Sequence, residues 1–147
     1  MPKPLLASVT ICQRILQETD AVFSLIRVVD IFYVDLIEGI PPEKQTISAS
    51  FLASIKFPVG SFPSLETVRI SLVLPDDNTT LLGTVGTPEI IPDKGIAAPL
   101  GFSVIGQVQV AANVLGTYYV VLSFEEEEVA RAPFTLAERT QAGEAQS

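Results

Sequence analysis

The sequence predicts an all-β protein: a two-layer antiparallel β-sandwich of about eight strands, with an immunoglobulin-like or C2-like connection. One observation is the alternation of apolar and polar residues in Gln45–Phe57 and again in Thr67–Leu74, with Leu52 and Val73 as the apolar exceptions on the polar faces. A second is that segments rich in glycine, proline or Asx residues separate the alternating runs. A third is that no run places apolar residues at helical spacing, so we predict no helix.

The first predicted element is a strand over Lys3–Leu16, which places Ala7, Val9 and Ile11 on one face. A turn at Gln17–Asp20 follows it.

The second element, Ala21–Ile37, is a long β-branched and aromatic run. The adjacent apolar pairs Val28–Val29 and Ile31–Phe32 break the alternation, so we expect a bulge or bend near Asp30 that moves the strand between sheets. A helix is the competing interpretation because the run is long. Its β-branched content and its lack of an apolar stripe argue against a helix.

The middle of the chain alternates between strands and turn-rich segments. A glycine inside the last of these strands, Gly106, predicts a bulge or a close packing approach. The predicted elements are a loop at Glu38–Lys44, a strand at Gln45–Phe57, a loop at Pro58–Leu65, a strand at Thr67–Leu74, a turn at Pro75–Thr80, a short strand at Leu81–Val85, an irregular segment at Gly86–Leu100 and a strand at Gly101–Val110.

A closing hairpin is predicted over Gly116–Leu136. Its second strand contains Pro133, which cannot donate a hydrogen bond, so that strand is expected at a sheet edge or with a bulge there. The run Glu125–Glu128 is interpreted as a solvated hairpin tip, because neighbouring strand residues point in alternating directions and do not converge on one cation.

One domain is predicted over residues 1–136, and residues 137–147 are predicted to form a disordered tail. The chain carries 9 Lys and Arg against 17 Asp and Glu, a net charge of −8, and no segment is basic. This balance disfavours nucleic acid and anionic membrane surfaces as partners. We recognise neither a secretion signal nor an apolar run long enough to cross a bilayer, and therefore expect a cytoplasmic protein.

Several kinds of chemistry are disfavoured by composition. Histidine is absent, which removes the usual general base and the commonest transition-metal ligand. Cys12 is the single cysteine, so no intramolecular disulfide is expected, and we interpret it as a buried structural thiol. The sequence therefore predicts no enzyme activity, no catalytic or metal-binding residue and no cofactor.

One acidic cluster is a candidate calcium site. Asp76, Asp77 and Asn78 lie together, and Asp93 lies across a loop. Calcium takes six to eight oxygen ligands, and loop aspartates of β-sandwiches supply them. An ordinary hairpin turn also favours Asp76–Asn78, because Asx side chains bond their own backbone, and we prefer that interpretation.

Two parts of the chain carry a family resemblance. The segment ICQRILQ, the acidic turn and FSLIRVVDIF, together with the late GTYYVVLSF and VARAPFTL, resemble a bacterial family of small β-sandwich proteins of unknown function. The resemblance covers nearly the whole chain. It implies the sandwich fold, and it implies no activity or residue role.

The leading functional hypothesis is a non-catalytic binding or assembly module that acts through protein–protein contact. Charged residues make up 18% of the chain, below the roughly 25% of typical soluble domains, which suggests a surface that another chain covers. Ser48, Ser50, Leu52 and Ser54 would form a flat uncharged face for an unknown protein partner or a second copy of this chain. The alternative is a small-ligand or calcium-binding sandwich whose site lies in the loop end.

Overall fold

Two packed β-sheets make up the structure, a computed structural model that describes residues 4, 6–17, 23–57, 68–84 and 100–138. No α-helix occurs within these ranges, and the predicted all-β class is confirmed. The strands are β1 (Leu6–Gln17), β2 (Phe23–Val28), β3 (Ile31–Val34), β4 (Thr46–Phe57), β5 (Val68–Val73), β6 (Thr79–Thr84), β7 (Leu100–Ala111), β8 (Gly116–Phe124) and β9 (Glu127–Glu138).

The four-stranded sheet has the order β2-β1-β4-β7, and the five-stranded sheet has the order β3-β9-β8-β5-β6. All neighbours are antiparallel except β3 and β9, which are parallel. The predicted antiparallel sandwich is therefore confirmed with one parallel pair at its margin.

The core lies between the sheets and follows the period of two that the sequence shows. Val68, Ile70 and Leu72 on β5 face the alternate residues of β4 across the sandwich. Phe57 and Phe124 meet with ring centroids 5.1 Å apart, and Phe134 contacts both Tyr118 and Phe32. The buried residues of β4 are Ala49, Phe51, Ala53, Ile55 and Phe57.

The chain changes sheets between β2 and β3, as the sequence predicts. Arg27 adopts a positive φ of 55°, and Val29 and Asp30 lie outside both strands. The backbone N–H of Val29 still bonds to the carbonyl of Ile11 in one sheet, whereas the carbonyl of Asp30 accepts from the N–H of Thr135 in the other. One continuous segment thus borders both sheets on one side of the sandwich.

The closing hairpin is confirmed as β8 and β9. Pro133 pairs with Tyr119 of β8, and β3 joins the other side of β9 only from Thr135 onward. The missing N–H of Pro133 therefore lies where β9 is locally an edge among the described strands. The bulge of β9 is at Val129, because Leu122 pairs with Ala130 and the next residue of β8 pairs with Glu128.

Two details differ from the sequence prediction. The predicted loop at Glu38–Lys44 contains a 3₁₀ helix at Pro42–Lys44. Ala137 and Glu138 belong to β9 and pair with β3, so the last strand extends two residues beyond the predicted end of the closing hairpin at Leu136. At Gly106 the predicted close packing approach is confirmed, to Phe51, and the alternative of a bulge is excluded because β4 and β7 pair in unbroken register. The predicted loop at Pro58–Leu65 and residues 86–99 lie outside the described residues.

Candidate interaction surface

The outer face of the four-stranded sheet carries short uncharged side chains. Alternation places the polar residues of β1, β4 and β7 outward once the apolar ones pack inward. Because the strands pair in register, the outward residues form cross-strand rows, and one row joins Ser8, Ser54 and Ser103. The hydroxyls of Ser54 and Ser103 share a hydrogen bond of 2.9 Å. This row gives the face a flat hydroxyl band.

The neighbouring row of this face is mainly aliphatic. Thr10 of β1, Leu52 of β4 and Ile105 of β7 lie side by side. Ile105 is 41% exposed, and Leu6 and Val28 at the borders of the face are 50% and 62% exposed. A mainly aliphatic row thus lies beside the hydroxyl row.

The predicted face on β4 is therefore present, and it is larger than the sequence suggested. Ser48 is exposed, Leu52 and Ser54 are partly exposed, and Ser50 is 9% exposed. The rows contributed by β1 and β7 were missed, because the order of strands in the sheet cannot be inferred from alternation within one strand.

The charge of this sheet differs from that of the whole chain. The strands β1, β2, β4 and β7 contain none of the 17 Asp and Glu residues, although the net charge is −8. The charged residues in these strands are Arg14, Arg27 and Lys56, all of them exposed cations. The sheet is thus the carboxylate-free side of an acidic protein.

Cys12 lies on this sheet between Val28 of β2 and Ser50 of β4, and it is fully buried as a free thiol. The prediction of a buried thiol is confirmed. Burial raises the pKa of the Cys12 thiol, and a backbone hydrogen bond involving Arg14 opposes that rise. A thiol with a raised pKa is protonated at neutral pH and reacts slowly.

The acidic cluster considered for calcium is a hairpin turn in the structure. The Asp76 carboxylate accepts hydrogen bonds from the Asn78 backbone N–H at 3.0 Å and from the Asn78 side-chain amide at 2.7 Å. Asp77 has a positive φ of 68°, and its N–H bonds to the Leu74 carbonyl. Asp93 lies outside the described residues. Within the described ranges, no group of three or more Asp, Glu or Cys is placed to hold a metal ion.

The glutamate run forms the tip of the closing hairpin. Glu125 and Glu126 occupy the turn, and Glu128 forms a salt bridge with Arg131 through two hydrogen bonds. The hydrogen bond from Arg131 lowers the pKa of the Glu128 carboxyl. In a regular strand residues 128 and 131 point to opposite faces, and the bulge at Val129 brings them together. Alternation alone therefore could not predict this pair.

An open cleft lies beside the crossing from β2 to β3. It has a volume of about 450 Å³, and its lining is mainly apolar, with Asp30 and Thr10 as the polar residues. Its lining includes none of Asp76, Asp77 and Asn78, the described residues of the candidate calcium site. The lining residues are Val9, Thr10, Ile11, Val28, Val29, Asp30, Ala132 and Pro133.

The class that this architecture defines is an all-β sandwich of two packed sheets. Comparison with protein-family models finds no matching family, and comparisons with curated proteins and with solved structures give no significant match. The resemblance to the bacterial β-sandwich family therefore stays a prediction. No helix in the described part of the chain is long and apolar enough to span a membrane.

Proposed function

We propose that this protein is a non-catalytic binding module that contacts another protein through the outer face of its four-stranded sheet. The observation that carries the proposal is the absence of carboxylates from all four strands of that sheet in a chain of net charge −8. An interface core is typically depleted of charged residues, because burying an unpaired charge is costly.

The shape of the face supports the same proposal. Serine, threonine and small aliphatic side chains have few rotatable bonds, so little conformational entropy is lost when a partner covers them. The Ser54 and Ser103 hydroxyls bond to each other, so only one of their two O–H donors would need a hydrogen-bond acceptor when a partner covers the band.

We also propose that the strand connection is immunoglobulin-like. In that fold the strands A, B and E are neighbours in one sheet, and C, F and G are neighbours in the other. The neighbours β1, β4 and β7 would correspond to the first set, and β5, β8 and β9 to the second.

A hydrogen bond near the start of β8 supports this correspondence. The Tyr118 hydroxyl donates to the Val114 carbonyl in the loop that joins β7 and β8. Immunoglobulin-like domains place a tyrosine with such a bond at the corner before strand F.

The reactive side chains that the sequence contains support the non-catalytic part of the proposal. The chain has no histidine, and its single thiol is buried with a raised pKa. A nucleophile needs an adjacent base or a lowered pKa to react at neutral pH.

A matched pair of variants tests the proposal. Ser8→Glu places a carboxylate on the outer face of the four-stranded sheet, and Ser71→Glu places one on the outer face of the five-stranded sheet, at another partly exposed serine. Both variants and the wild type are tagged in the native host, and the proteins they retain are quantified by mass spectrometry. Proteins that are retained by wild type and Ser71→Glu, and lost from Ser8→Glu, support the proposal. Equal retention by Ser8→Glu and wild type contradicts it.

A further inference from the structure

The strand β7 borders the four-stranded sheet along its full length. All twelve of its residues pair with β4 in unbroken register. No strand of the described residues pairs with its other edge. Such an edge presents a row of backbone N–H and C=O groups that can template another strand.

The sequence of this edge strand lacks two features by which proteins usually prevent strand addition, proline and charge. Its sequence, LGFSVIGQVQVA, contains no proline and no charged residue. The edge strand β6 of the other sheet has six residues and a register shift where β5 passes from Ile70 to Ser71, and β3 has only four residues. The longest edge in the described structure is therefore also the least protected.

We infer that β7 pairs antiparallel with β7 of a second copy of this chain, so that two four-stranded sheets join into one continuous sheet. This inference rests on the proposed function because it uses the same carboxylate-free sheet, and it places contact with a second copy at the β7 edge of that sheet. A two-fold axis near Ile105 makes the contact self-complementary. Ser103 of each copy would then face Gln107 of the other, and the two exposed Ile105 side chains would cover each other.

The charge distribution favours this edge as the place where two copies meet. Each copy carries a net charge of −8, so most orientations bring carboxylates together. Pairing through β7 brings together two sheets whose strands contain no Asp or Glu. Exposed charges farther away than about 10 Å are largely screened at physiological ionic strength.

Sedimentation velocity over a range of protein concentrations tests the inference. The wild type is expected to form a dimer, and Ser103→Lys combined with Gln107→Lys is expected to weaken it about tenfold or more, because four cations would face one another. The control is Thr79→Lys combined with Leu81→Lys, which places two cations on the exposed edge strand β6. The control should leave the dimer intact.

Charge reversal separates a broken contact from a damaged fold. Ser103→Glu combined with Gln107→Glu should also weaken the dimer. Mixing this variant with the lysine variant should restore dimers that contain one copy of each, as counted by native mass spectrometry. Failure of the mixture to form such dimers contradicts pairing through β7.

Two other results would overturn the inference in distinguishable ways. A wild type that stays monomeric at the highest concentration excludes self-pairing and leaves the proposed contact with a different protein intact. If the dimer persists in the lysine variant and is lost in Ser8→Glu, a position two strands away from β7, then the two copies contact each other through the sheet face. If the dimer persists in both the lysine variant and Ser8→Glu, the inference is contradicted, and the outer face of the sheet is not involved in self-association.

Discussion

The hydroxyl of Tyr118 donates a 2.5 Å hydrogen bond to the carbonyl oxygen of Val114, four residues earlier in the chain. The ring of Tyr118 is 1% exposed and stacks on Phe134, with centroids 5.0 Å apart and an angle of 4° between the planes. The Tyr118 side chain thus links the loop before β8 to the core between the sheets.

Tyr118→Phe should destabilise the protein by about 1–2 kcal/mol, because it removes this hydrogen bond and retains the stacked ring. Tyr119→Phe is the matched control, since Tyr119 is partly exposed on the opposite face and its contact with Arg131 is to the ring. Urea unfolding at pH 7 measures both variants. Equal effects of the two substitutions would contradict a role for the Val114 bond.

The burial of Tyr118 predicts that the stability of the protein depends on pH. Burial, with a smaller effect of the Asp76 charge, raises the pKa of Tyr118 in the folded protein. The stability that this shift contributes is present below the unfolded pKa of about 10 and is lost as pH rises through the folded pKa. The stability difference between wild type and Tyr118→Phe should therefore shrink above pH 10. A difference that stays constant across this range would contradict the prediction.

The sequence predicted the elements of this fold better than their arrangement. The alternation that ends at Phe57 identified β4, and the doubled apolar pairs around Asp30 identified the change of sheet. These signals are local, because each depends on the direction of successive side chains. The parallel pairing of Phe32 with Leu136 is not local, and nothing in either segment specifies the other.

The candidate surface also has a part that could be predicted from local signals and a part that could not. The residues of β4 that face outward could be predicted from parity. The rows that Ser8 and Ser103 add on either side required the order of strands, which depends on long-range packing. The pairing of β1 and β7 with β4 therefore extends the predicted face of one strand to a sheet whose strands contain no carboxylates.

Gly106 is expected to tolerate no side chain. A Cβ at this position would lie 2.5 Å from Cζ and 2.7 Å from Cε1 of Phe51, whose side chain is 5% exposed. Gly106→Ala should destabilise the protein by about 1–3 kcal/mol through overpacking. Gly83→Ala on β6 is the control, because nothing lies within 4 Å of its added Cβ.

A double variant identifies the contact that is responsible. Phe51→Leu removes the ring atoms that the new Cβ would meet, so Gly106→Ala should cost less in that background than in the wild type. Thermal unfolding of the four proteins of this cycle measures the coupling. If the effects of Gly106→Ala and Phe51→Leu on stability are additive, the Phe51 ring is not the cause of the destabilisation.

Substitutions at the tip of the closing hairpin should raise the stability of the protein. Glu125 and Glu126 have φ angles of 51° and 67° and form a two-residue turn between Phe124 and Glu127. A type I′ turn requires positive φ at both central residues and favours Asn-Gly. Glu125→Asn combined with Glu126→Gly should therefore stabilise the protein by about 1 kcal/mol or more.

Glu125→Gln combined with Glu126→Gln separates backbone strain from charge repulsion. It removes the two carboxylates and keeps side chains that are equally strained at positive φ. A smaller gain than that of the Asn-Gly variant in urea unfolding supports relief of strain. An equal gain would assign the effect to charge repulsion.

Cys12 should react slowly with thiol reagents while the protein is folded, because the thiol is fully buried and its raised pKa keeps it protonated. Cys12→Ser combined with Gln13→Cys moves the thiol to the next position of the same strand, which is exposed. At pH 8 the wild type should react on the order of 100-fold more slowly than this variant, since reaction requires local opening. In concentrated urea the two rates should converge, because unfolding exposes both thiols. Equal rates in the folded proteins would show that Val28 and Ser50 do not shield the thiol.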